Sequence, residues 1–272
     1  MAHPQLAAFA RLADGGARPV RSVAGQKTLL ARTHHAIVYD PIHDEIVLPQ
    51  NIGQAILTFR GGANGEEAPI RMIQGPKTQL IAPNRVEVDA VHNEIFVPED
   101  DHVLVFPREA NGDVAPLRIL RGPDTRLGAD AVAVDPVHNL LIVSGAVRVG
   151  RERVTSLLLF NRTDEGNVKP KAVISGPRTG LVGTGLIQVY PPAGKILVTV
   201  RGTGNQLVSD DGFVGVWNLA DQGDVPPRWT IGGPKGMLQQ VRGVALDPKH
   251  KSVIISDKRL NAVLTYYFPE LF

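Results

Sequence analysis

The apolar positions of this chain fall in short runs of four to six residues separated by turn-forming clusters. No window of helical length carries an apolar period of 3.6. The stretch from Arg85 to Leu127 shows the pattern. It reads Val86-Glu87-Val88-Asp89, then Glu94-Ile95-Phe96-Val97, then Val103-Leu104-Val105-Phe106, then Pro116-Leu117-Arg118-Ile119-Leu120. Between these lie Ala90-Val91-His92-Asn93, Glu99-Asp100-Asp101-His102 and Arg108-Glu109-Ala110-Asn111-Gly112-Asp113. Runs rich in Val, Ile, Leu and Phe, bounded by Gly, Pro, Asn and Asp, predict four short strands and very little helix.

The unit recurs along the chain. Its first strand and turn reappear as Ile37–His43, Val132–His138 and Val244–His250, with a degenerate copy at Ile187–Pro192. The turn histidines His43, His92 and His138 are spaced 49 and 46 residues apart, the period of a four-stranded propeller blade. Five first strands, six third strands and five fourth strands are legible. They predict a single all-β domain over residues 1–272, a β-propeller of four-stranded antiparallel blades. Five blades are favoured, with six as the alternative, and the N- and C-terminal strands are expected to share the closing blade.

Composition narrows the class. The 29 Lys and Arg against 27 Asp and Glu leave a formal charge of +2, so the whole chain gives no electrostatic case for nucleic acid. There is no cysteine, which excludes disulfides, thiol nucleophiles and cysteine-bound metals. No apolar stretch is long enough to span a bilayer. The N-terminus lacks a signal-peptide pattern, which fits a cytoplasmic protein or a secreted or periplasmic one whose leader has been removed.

The Asp-Pro-x-His turns invite a metal reading. One His per blade at one repeat position spreads these side chains around the propeller, so the turn histidines are expected to stabilise their own hairpins. The succession of Val-Ala-Val-Asp-Pro, Glu-Ile-Phe-Val and Val-Leu-Val-Phe resembles NHL-type repeats. With the segment Gly112–Arg118, Gly-Asp-Val-Ala-Pro-Leu-Arg, it is similar to bacterial NHL-like propeller proteins over nearly the whole chain. That resemblance implies the fold and, more loosely, export and a role as a binding platform. Related six-bladed families include calcium-dependent lactonases and a metal-using amidating lyase, but their ligand sets match no positions here.

Candidate chemistry lies where the pattern breaks at the channel end of the first strands. His34, His35, Arg85, Glu87, Asp130, Gln188 and Arg242 occupy equivalent or near-equivalent places there. Glu87 and Gln188 stand where other copies carry apolar side chains, and a charge on an innermost strand is costly unless it meets water or a partner. Arg85 or Arg242 facing Glu87 or Asp130 would give a structural ion-pair ring or a ligand site. The acidic run Glu99-Asp100-Asp101 reads as a solvated loop, with calcium as the alternative. Two insertions, in the 145–156 and 201–213 regions, extend the second-to-third hairpins of the third and fourth blades into a candidate partner-binding lip.

No nucleophile elbow, zincin motif or phosphate loop occurs. The first reading is therefore a non-catalytic scaffold that binds a protein or small molecule at the channel face and these loops, with no cofactor. The alternative is a metal-dependent, lactonase-like hydrolase or lyase. It would hold calcium or another divalent ion on His34, His35, Glu87 and Asp130. A third reading is a fragment without retained activity.

Overall fold

The computed structural model describes residues 5–32, 34–149, 152–202, 211–233 and 235–272. Among the described residues there are twenty-one strands, and helix is confined to single 3-10 turns. Four sheets have four strands each, in chain order. The first contains β3 (Val38–Asp40), β4 (Glu45–Gln50), β5 (Ala55–Arg60) and β6 (Arg71–Gln74). The second contains β7 (Glu87–Asp89), β8 (Glu94–Glu99), β9 (His102–Pro107) and β10 (Arg118–Arg121). The third contains β11 (Leu127–Asp135), β12 (Leu140–Val149), β13 (Glu152–Asn161) and β14 (Ala172–Ser175). The fourth contains β15 (Thr184–Tyr190), β16 (Lys195–Val200), β17 (Phe213–Asn218) and β18 (Trp229–Gly232). A fifth sheet has three strands, β19 (Val241–Asp247), β20 (Ser252–Asp257) and β21 (Ala262–Tyr267). Each of the five owns a first and a second strand, and the fold is a five-bladed β-propeller.

The strands nearest the two ends of the chain are of matching types. Strands β1 (Gln5–Ala8) and β2 (Arg21–Ala24) pair with each other in the first of two compact units, and β19 to β21 form a three-stranded sheet in the second. β1 and β21 are both of the third-strand type, and β2 is of the fourth-strand type.

The chain divides into two compact units, Met1–Glu99 with Val105–Leu117, and Asp100–Leu104 with Arg118–Phe272. In the first, alternate residues of β4 and β5 build a core around Leu48, Leu57 and Phe59, packed against Val23 and Ala63. In the second, Ile142, Leu157, Ile196 and Trp217 anchor one cluster, and Val214, Val216, Val241 and Val253 another.

The strand-to-strand turns explain the repeat motifs. In the Asp-x-x-His turns, one Asp89 oxygen accepts from the amides of Val91 and His92 while the other faces His92 Nδ1 at 2.8 Å. Asp40, Asp135 and Asp247 bond their histidines in the same way. Strands β2, β6, β10 and β14 end in Gly-x-x-Thr turns. The hydroxyls of Thr28, Thr78, Thr125 and Thr179 each donate to the carbonyl of the glycine three residues before, at 2.6 Å. These threonines are fully buried. Among the described residues, the fourth-type strands β2, β6, β10 and β14 each also bond to a glycine further along the chain: Gln74 donates its amide to Gly112, whose amide returns to Met72. Gly112 has φ of 80°, a conformation that a side chain would strain.

Candidate functional site

When the copies are aligned on the first-strand Asp, or on Tyr190 in the degenerate copy, one position five residues earlier holds His35, Asn84, Asp130, Gly185 and Arg242. The residues closing the second strands meet these starts. Gln50 accepts from the amide of Ala31, Glu99 from those of Ile81 and Ala82, and Asp257 from those of Gln239 and Gln240. Fourth-to-first connections and second-to-third hairpins thus share one end of their blade.

In the first unit, His35 Nδ1 lies 2.8 Å from Asn84 Oδ1, which also accepts from Asn51 Nδ2 at 2.9 Å. His35 is exposed and Asn84 half-buried. Arg85 is 7% exposed and donates through Nη1 to the carbonyls of His35 and Asn84. His34 Nδ1 faces the carbonyl of Pro49 at 3.1 Å, and its Nε2 is buried with no hydrogen-bond partner among the described residues. Glu87 lies on β7, its Oε1 accepting from the amide of Val88 at 3.0 Å. Burial pushes its carboxyl up to about 8; the Val88 amide opposes that shift and the charge of Asp89 adds to it. Burial of Glu87 thus favours the neutral acid over the carboxylate.

In the second unit the first strands are longer. Register shifts between Leu127 and Val132, between Thr184 and Ile187, and between Val241 and Gly243 mark a bulge at the start of each. A hydroxyl on the second strand satisfies the displaced amides. Ser144 Oγ accepts from Asp130 and Ala131, Thr199 Oγ1 from Leu186, and Ser256 Oγ from Gly243. In β4 and β8 the same place is Pro49 and Pro98, and the first strands there, β3 and β7, are only three residues long. The bulges re-aim Asp130 and Arg242. Asp130 Oδ2 accepts from Arg201 Nη2 at 3.0 Å, and Arg201 also donates to the carbonyls of Gly183 and Thr184. Burial pushes Arg242 down from the usual arginine range, the nearby charge of Arg201 adds to this, and Asp130 opposes it. Gln188 is half-buried on β15, opposite Leu197.

The geometry thus gathers His35 and Arg85 around Asn84 in one unit, with His34 turned to the Pro49 carbonyl, and Asp130 and Arg242 around Arg201 in the other. The ion partner of Asp130 is Arg201, at the base of a loop insertion. Position within the repeat could have marked Arg201, since it follows the second strand where Asn51 follows β4. A second ion cluster carried no sequence signal: Glu45, 7% exposed, accepts from Arg71 and Arg108, at 2.5 and 2.8 Å. The acidic run has separate duties. Glu99 holds backbone amides, while Asp101 bonds His102 and Arg121, which keep its carboxyl below the usual range. Among the described residues no group of three or more His, Asp or Glu side chains stands close enough to hold a metal ion.

Of the two insertions, the first forms a ladder from Leu140–Asn161 to Val149–Glu152. Strands β12 and β13 are ten residues long, against six for β4 and β5. The hairpin extends its blade by four residues a strand, roughly 13 Å. Residues 150–151 of the first insertion, residues 203–210 of the second, and Thr33 lie outside the described residues.

No family model and no curated protein matches the chain. A chain in the crystal structure of a nidogen/laminin complex shares its fold. That match has a TM-score of 0.54 at 14% identity and covers 86% of this chain and 80% of that one. At such identity the likeness shows the β-propeller alone.

Proposed function

We propose that this chain is a non-catalytic binding propeller of the NHL-like kind, which engages a protein or small-molecule ligand at the first-strand ends and the adjoining second-to-third hairpins. The observation that carries this reading is the residue variety at one repeat position. His35, Asn84, Asp130 and Arg242 differ in charge and hydrogen-bonding character, whereas the three positions that follow are uncharged and largely apolar in every copy except at Arg85, Glu87 and Gln188. Each unit thus presents chemically distinct groups at one end of its blades, an arrangement suited to recognition. The long β12–β13 hairpin adds surface at the same end. The nidogen/laminin chain belongs to a protein complex, which is compatible with this reading.

Isotope-labelled protein titrated with a panel of neutral, cationic and anionic fragments provides the test. Amide shifts should cluster at His35, Asn84, Asp130, Arg201, Arg242 and the described part of the β12–β13 hairpin. Shifts confined to the outer fourth strands, or none with any fragment, would sink the reading.

A further inference from the structure

We infer that Asp130, Arg201 and Arg242 form a recognition site for the carboxylate group of a small molecule. The inference rests on the binding reading above and gives one of its sites a ligand chemistry. Two guanidinium groups accompany one carboxylate, so the cluster carries one surplus positive charge. Asp130 neutralises Arg201 through a direct 3.0 Å contact. Arg201 is further committed to the backbone of Gly183 and Thr184. Arg242 holds the surplus: its Nε is buried and makes no hydrogen bond among the described residues. A buried guanidinium N–H without an acceptor is costly, and an incoming oxyanion removes that cost.

Access and rigidity fit the role. The side chains of Arg201 and Asp130 are 33% and 43% exposed and Arg242 is half-buried, so the cluster meets solvent along the Asp130–Arg201 edge. The backbone beneath is fixed by hydroxyl-capped bulges, and the Thr199 hydroxyl lies 3.3 Å from the Arg242 carbonyl. The planar guanidinium fork matches the two oxygens of a carboxylate. A single surplus charge favours a monoanion, and Asp130 repels a more highly charged phosphate.

The test follows the side-chain Nε–H resonances of the arginines while the intact chain is titrated with sodium acetate, sodium phosphate and sodium chloride. Acetate should shift the Arg242 signal saturably, with a dissociation constant in the millimolar range. Arg242→Gln should abolish saturation elsewhere in the cluster while leaving the backbone spectrum dispersed, and Arg201→Gln should weaken binding about tenfold. An acetate effect no different from that of chloride, or one that survives Arg242→Gln, overturns the proposal. So does phosphate binding more than tenfold tighter than acetate, which would assign a phosphate site instead. Fragment shifts at His35, Asn84 and the β12–β13 hairpin with an unresponsive Arg242 would defeat this inference and leave the broader binding reading standing.

Discussion

Glu87 shows how a single residue reports on its surroundings. It occupies a first-strand position that is apolar or amide-bearing in the other copies, and burial raises its carboxyl to about 8. In the unfolded chain the same group ionises near the ordinary value of 4.5. Between these two values the folded chain holds a proton that the unfolded chain has released. The contribution of Glu87 to stability should therefore be fully present at low pH, fall as pH rises from about 4.5 to about 8, and level off beyond. The side chain is half-buried, so water screens part of the cost, and the loss should be roughly 2–3 kcal/mol. Glu87→Gln removes the ionisation. Urea unfolding at pH 5 and pH 9 should give two different stabilities for the native chain and nearly one for the variant. Equal pH dependence of the two proteins would show that Glu87 is solvated and ionised.

At the scale of strands and turns, the sequence was informative wherever one blade carried its own instructions. The Asp-x-x-His turns and the five, six and five counts of first, third and fourth strands stand in the structure because each motif satisfies amides within a few residues of itself. The first-strand bulges are not legible within one copy, because their determinants are a single second-strand position, Ser144, Thr199 or Ser256, read against Pro49 and Pro98. Arg201 as the partner of Asp130 was also hidden, since that pair spans 71 residues. The hydroxyl rule has a direct consequence. Thr199 is fully buried and its Oγ1 accepts from the Leu186 amide at 2.7 Å. Thr199→Val keeps the shape but orphans that amide, which should cost about 1–3 kcal/mol. Chemical denaturation would measure the loss, and hydrogen exchange should show the Leu186 amide opening at least tenfold faster. An unchanged Leu186 exchange rate would mean the bulge is held by other contacts.

For the molecule as a whole, the closing arrangement is what the repeat alone did not dictate. β21 is a third-type strand, and unlike β5 and β17 it has no fourth strand beside it. The chain beyond it does not continue the blade. The amide of Phe268 donates to the carbonyl of Lys251 at 2.8 Å, and a single turn at Pro269–Leu271 folds the tail back. Phe268 meets Trp229 edge-on at 5.8 Å, Phe272 meets Tyr190 at 4.9 Å, and the Tyr266 hydroxyl donates to the carbonyl of Gly236. Leu271 is 1% exposed, within the cluster of Val214, Val216, Val241 and Val253. The tail thus ties the three-stranded sheet to residues of the four-stranded one before it, by side-chain packing rather than by a fourth strand. If that is what secures the sheet, Leu271→Ala should cost about 2–4 kcal/mol, the range for emptying a buried leucine site. Removal of residues 269–272 should cost more, and both variants should raise the exchange rates of β19 and β20 amides well above those of β4 and β5. A loss below about 1 kcal/mol would show that the tail only covers a sheet that holds itself together, because a buried side chain of this size cannot be removed so cheaply from a packed interior.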